Sequence, residues 1–93
     1  MKLKVFSVRD DKAEIYMRPF FAQTIAEACR MWKDAASDEN TSFFRHPEDF
    51  CLFEVGDFDT EFGTLIPALS PKPLGKAFDF IEKKPLPLRE LNA

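Results

Sequence analysis

Basic and flat aromatic side chains interleave near the start of this chain: Lys2, Lys4 and Phe6, then Tyr16, Arg18 and Phe20. Lysine and arginine neutralise phosphates, and a ring that stacks on an unpaired base contributes about 1–3 kcal/mol. No other constellation in the sequence carries a mechanism. It suits a single strand better than a duplex, because stacking needs a base face that is not already covered. The plainer alternative is that Phe6, Tyr16 and Phe20 are covered by a C-terminal helix or by a second copy of the chain. On the residues alone, that alternative carries more weight.

Signs of catalysis are few. His46 is the only histidine, next to Glu48 and Asp49 but with no Ser or Cys placed beside it, so a solvated loop imidazole is preferred over a general base. Asp57, Asp59 and Glu61 resemble the opening of a calcium loop, yet Phe62 stands where glycine is required and Ala68 where a bidentate glutamate is required. A charged hairpin turn fits better. Gly56, Gly63 and Gly75 form no phosphate-cradling motif. Cys29 and Cys51 fit neither a metal quartet nor a disulfide framework and are expected to be reduced, structural and slow to alkylate. The expectation is a non-enzymatic protein without catalytic residues, metal or cofactor.

The elements that position these side chains follow from periodicity. Leu3, Val5 and Ser7 alternate with Lys2, Lys4, Phe6 and Val8 in one arm of a hairpin. After the turn Arg9-Asp10-Asp11-Lys12, the other arm sets Ala13, Ile15 and Met17 against Glu14, Tyr16, Arg18 and Phe20. Thr24 and Glu27 have capping-box spacing, which predicts a helix over 25–36 with Ile25, Ala28, Cys29, Trp32, Ala35 and Ala36 on one stripe. That stripe is expected to pack on Leu3, Val5, Ile15, Met17, Phe53 and Val55, leaving the Lys2, Lys4, Phe6, Tyr16, Arg18 side open. The segment 37–49 reads as a surface loop. A second hairpin follows, with Cys51, Phe53 and Val55 in its first arm and Thr64-Leu65-Ile66 in its second. Beyond Pro67, Pro71 and Pro73, the spacing of Leu74, Ala77, Phe78 and Ile81 predicts a short amphipathic helix ending at Lys83 and Lys84. The order ββαββα implies an α+β fold: a four-stranded antiparallel sheet, strand order 2-1-3-4, with one main helix on one face and a short C-terminal helix. A single domain over 1–84 and a tail over 85–93 are expected.

Length and charge agree with this reading. Ninety-three residues of 10.7 kDa, 45% hydrophobic and 31% charged, make one folded core and exclude a disordered or collagen-like chain. No run approaches the ~18 apolar residues of a membrane span, and the N-terminus alternates where a signal peptide would be continuously apolar, so a cytoplasmic location is expected. The net charge of −3 is unevenly spread: +3 over 1–33, −8 over 34–70 and +2 over 71–93. A polyanion is expected to meet the first segment, and the acidic one to face away from it.

Several stretches together resemble a family. They are Met1-Lys2-Leu3-Lys4-Val5-Phe6-Ser7-Val8-Arg9-Asp10, Pro19-Phe20-Phe21, His46-Pro47-Glu48-Asp49-Phe50 leading into Leu52-Phe53-Glu54-Val55-Gly56-Asp57-Phe58-Asp59, and Leu74-Gly75-Lys76-Ala77. In this order, over about residues 1–83, they resemble the small nonstructural protein of gokushoviruses, bacterial viruses with circular single-stranded DNA genomes. The resemblance implies a protein absent from the capsid and linked to viral DNA synthesis or DNA binding. It implies no particular catalytic or binding residues. The combined expectation is an accessory protein of genome replication that binds single-stranded DNA or replication proteins. The alternative is an interaction module that forms a homodimer or binds a host factor.

Overall fold

A computed structural model describes residues 1–81. The elements run β1 (Lys2–Asp10), β2 (Ile15–Tyr16), β3 (Phe20–Ala22), α1 (Ile25–Ser37), α2 (Ser42–Arg45), β4 (Phe50–Asp59), β5 (Thr64–Lys76) and α3 (Ala77–Phe80). All strand pairs are antiparallel. β2 and β3 both lie along one side of β1, and β4 and then β5 lie along the other. This is the expected α+β architecture and the expected 2-1-3-4 order, with the second strand in two pieces. The tail expected over 85–93, the helix end at Lys83 and Lys84 and the domain limit at residue 84 lie outside the described residues.

The break between β2 and β3 decides which side chains share a face. β1 pairs with β2 as Arg9↔Tyr16 and Asp10↔Ile15, but with β3 as Lys4↔Ala22, Val5↔Phe21 and Phe6↔Phe20. The two registers differ by one residue, and a one-residue slip turns every side chain to the opposite face. The slip falls at Met17–Pro19, where Pro19 has no N–H for the ladder. There the Met17 N–H donates to the Val8 carbonyl at 2.7 Å, and the Ser7 hydroxyl donates to the Met17 carbonyl at 2.6 Å.

Helix α1 begins as its sequence dictates, with the Thr24 hydroxyl accepting the Glu27 N–H at 3.1 Å. Its stripe of Ala28, Trp32 and Ala36 is buried, with Ile25, Cys29 and Ala35 at the margin. The sheet face beneath it differs from the expected one. The helix covers Phe6, Val8, Phe20, Ala22, Phe50 and Leu52, whereas Leu3, Val5, Phe53 and their neighbours lie on the other side. Size complementarity accounts for the choice. An alanine-rich stripe brings the helix axis close to the sheet, and large rings opposite it fill the layer to native density. Phe6 stacks on Phe20 with centroids 5.6 Å apart, and both Phe6 and Leu52 are fully buried. Ile15 and Met17, also expected in the core, are exposed at the sheet edge.

Two further departures shape the molecule. Within the expected loop, the Thr41 hydroxyl accepts the Phe44 N–H and starts the single-turn helix α2, which drives Phe43 between Trp32 and Phe50. β5 runs extended through Pro67, Pro71 and Pro73, which is permitted because it is an edge strand. Its pairing with β4 shifts twice, and between Gly56↔Pro67 and Glu54↔Lys72 four residues of β5 stand opposite Val55 alone. Leu74 ends in this strand and not in the expected helix, which shrinks to α3. Gly75 explains the switch: its φ of 150° suits glycine, and a Cβ there would lie 2.5 Å from the Phe80 ring. Gly56 is required for a different reason, since a Cβ would stand 2.4 Å from the Ile66 carbonyl oxygen in the neighbouring strand.

Candidate functional site

The five residues expected to form a nucleic-acid surface do not share one. Phe6 lies under α1 with no exposed area. Lys2 and Lys4 occupy the same face as Phe6, beyond the helix, and there they meet acids: Lys2 is opposite Asp59 and Lys4 opposite Asp57, while Lys4 Nζ reaches Glu54 Oε2 at 3.4 Å. Lys72 in β5 is likewise opposite Glu54. The acidic middle segment therefore does not face away from the basic one. Pairing of β1 with β4 interleaves their charges, which lowers the potential a phosphate would feel. Tyr16 lies on the opposite face because of the slip at Met17–Pro19. Arg18 stands at the mouth of a cavity against α1, with no ion pair among the described residues.

The face without a helix gathers a different set. Read across the sheet, one row is Tyr16, Arg9, Cys51 and Lys76; the next is Ser7, Phe53 and Pro73; the next is Phe21, Val5, Gly56 and Pro67; the last is Leu3, Phe58 and Leu65. Tyr16 packs edge-on against Phe53 at 5.4 Å, and Phe21 edge-on against Phe58 at 5.6 Å. Tyr16 and Phe21 are each 44% exposed. The Arg9 guanidinium lies 5.9 Å from the Tyr16 ring centre and forms an ion pair with Asp11. Two apolar recesses lie between these clusters, sharing Pro19 and Val55 in their walls. Arg9, Phe53 and Lys76 were not expected in a binding surface: Phe53 was expected under the helix and Arg9 in a turn. Their alternation was visible, but their association with Tyr16 depends on strand register, which periodicity does not set.

Cys51 is buried in the cationic row, and burial pushes its thiol up, against the opposing pull of a hydrogen bond from the Gly75 backbone. A raised thiol carries little thiolate at neutral pH. Cys29 is only half-buried, on the helix, and both cysteines are free. Iodoacetamide is accordingly expected to modify native Cys29 ahead of Cys51, with Cys51 reacting quickly only in denaturant. Peptide mapping of the labelled protein checks this order, and faster labelling of Cys51 in the native state would contradict its burial.

Asp59, one of the acids considered for chemistry, serves local structure. The Asp59 carboxylate accepts the N–H groups of Glu61 at 2.9 Å and Phe62 at 3.2 Å, which closes the β4–β5 turn and holds its pKa below the ordinary carboxylate value. The main-chain N–H of His46 ends α2 by donating to the Ser42 carbonyl at 2.8 Å. No helix among the described residues is long and apolar enough to cross a membrane.

No curated protein and no solved structure matches the chain. A family model does, over residues 3–80, and this span takes in α1, α2 and α3 and every strand but for the first residue of β1. With four fifths of the sequence matched, the chain belongs to the Phage ORF5 protein family.

Proposed function

We propose that this phage accessory protein is non-enzymatic, assists replication of a single-stranded DNA genome inside the infected bacterium, and binds single-stranded DNA on its helix-free sheet face. One observation carries the reading: Tyr16 and Phe53 stand beside Arg9 and Lys76 on an open antiparallel sheet. Open sheets with aromatic platforms bind unpaired nucleotides by stacking, while neighbouring cations track the backbone. The resemblance to the small nonstructural protein of gokushoviruses supports the same setting. Lys2, Lys4 and Phe6 leave the proposed site, and Tyr16 stays in it.

The test is a titration of labelled oligo-dT at low and physiological salt. Binding should weaken as salt rises. Tyr16→Ala should reduce affinity by about 1–3 kcal/mol, the worth of one stacked base, whereas Lys4→Gln should leave it nearly unchanged. Absence of binding at low salt, or equal losses from the two variants, would remove the proposal.

A second reading rests on the apolar end of the same face, where Phe21, Leu65 and Pro67 are exposed around a recess. On that reading the face binds a replication protein, a host factor or a second copy of the chain. A stable dimer in sedimentation, dissociated by Phe21→Asp and indifferent to oligo-dT, would favour it.

A further inference from the structure

The helix-free face carries the same construction twice. In each case an exposed ring from the β2–β3 edge is propped edge-on by a half-buried ring from β4: Tyr16 by Phe53, with centroids 5.4 Å apart and planes at 73°, and Phe21 by Phe58, at 5.6 Å and 64°. Tyr16 and Phe21 are an odd number of positions apart and would point to opposite sides of an unbroken strand. The register slip at Met17–Pro19 brings both to one face, each at 44% exposure. Tyr16 lies opposite Arg9 and Phe21 opposite Val5, while Phe53 lies opposite Ser7 and Phe58 opposite Leu3. By either comparison the pairs are separated along β1 by about 14 Å, at the ~3.4 Å rise per residue of a strand. The two apolar recesses that share Pro19 and Val55 occupy the space between them.

We propose that these pairs are two base platforms of one site, and that its ligand is a single strand of three nucleotides, with the first and third bases stacked on Tyr16 and Phe21 and the second over the recesses between them. The inference rests on the sheet-face reading and extends it by a footprint and a second stacking residue. Spacing carries it. The rise per nucleotide is ~3.4 Å along one strand of a stacked duplex, and an unstacked strand extends to about twice that, so about 14 Å amounts to two nucleotide steps. Every base has a flat face, so the platforms accept any sequence. The two ends differ in charge. Arg9 and Lys76 share the row of Tyr16, whereas the rows of Phe21 and Phe58 hold no charged side chain. The strand is therefore held by charge and stacking at one end and by stacking alone at the other.

The probes are thymidine oligonucleotides two, three and four nucleotides long, and trimers in which one base is replaced by an abasic residue, titrated at low salt and followed by the amide resonances of the protein. Affinity should rise about 5- to 150-fold from dT2 to dT3, the worth of one stacked base, and change little from dT3 to dT4. The trimer without its middle base should bind nearly as dT3 does, and those without an end base should lose that factor. Phe21→Leu keeps an apolar side chain for the fold but no flat ring. It should weaken dT3 by the same factor while leaving dT2 and the salt dependence unchanged. Binding of dT3 no tighter than dT2, a middle base that matters as much as the ends, or wild-type affinity for dT3 in Phe21→Leu would overturn the footprint and leave DNA binding at Tyr16 standing. A dimer that Phe21→Leu dissociates and dT3 does not would overturn it in favour of a protein partner at that end. Failure of every oligonucleotide to bind would remove the sheet-face reading and this inference together.

Discussion

Phe6→Ala is expected to destabilise the protein by about 3–5 kcal/mol, a large part of the 5–15 kcal/mol that holds a small domain together. The ring is fully buried beneath α1 and stacked on Phe20, so its removal opens a void that neither the helix backbone nor the sheet can close. Urea unfolding followed by far-ultraviolet circular dichroism should show a lower midpoint with an unchanged slope. Tyr16→Ala supplies the contrast. It removes a ring of similar size from an open face, and its cost should stay near 0.5 kcal/mol or below, as for most surface substitutions. If Phe6 were a surface platform for bases, Phe6→Ala would leave the midpoint where it is and lower only DNA affinity.

That contrast also marks what periodicity alone could reveal. The strands, the Thr24 cap and the α1 stripe were legible because each depends on local spacing: an alternation of two, a hydroxyl at the helix start, small and apolar residues three and four apart, and the strand order followed from the handedness of the crossover through α1. The choice of sheet face was not. In β1, Leu3 and Val5 on one side and Phe6 and Val8 on the other are both apolar, so alternation cannot say which set meets the helix. The answer lies in the fit between an alanine-rich helix and large rings. Tyr16 went to the wrong side for a related reason. The even-numbered residues of both arms share a face only while one register holds, and it fails at Met17–Pro19. Phe20, beyond the slip, does share its face with Phe6.

Charge shows the same dependence on register. Counted along the chain, the first segment is basic and the middle acidic, which suggests separate surfaces. Folded, Lys2 and Lys4 lie against Asp59, Asp57 and Glu54 because β1 and β4 are neighbours. Such half-buried pairs near the surface are still partly screened by water and contribute little to stability, about 1 kcal/mol or less. Their greater effect is on the field: the acids beside Lys2 and Lys4 lower the potential over the most basic stretch of the sequence. Arg9 and Lys76, from segments far apart in sequence, end in one row across the sheet. Thr41 and Phe43 are a milder case. The hydroxyl two residues before a phenylalanine was a readable start for α2, but a single turn has too few residues to show periodicity.

Trp32→Ala should match Phe6→Ala in cost, at about 3–5 kcal/mol, for a reason that Trp32→Phe can separate into parts. The indole packs edge-on against Phe43 at 4.9 Å, and Phe43 against Phe50 at 4.9 Å, so it anchors both helices to β4. Alanine at this position would merge the vacated space with the cavity already beside it, leaving Phe43 with a ring on its Phe50 side only. Phenylalanine keeps a ring for Phe43 to meet and loses only part of the buried area. It also removes an N–H that is buried with no acceptor among the described residues, a group that costs about 1–3 kcal/mol when left unpaired. These two effects oppose each other, so Trp32→Phe should cost less than half as much as Trp32→Ala. Urea midpoints read by circular dichroism compare the variants without relying on the lost fluorophore. Equal costs would mean that the indole N–H is satisfied in solution, and an unchanged midpoint in Trp32→Ala would mean that α1 is not anchored by this side chain.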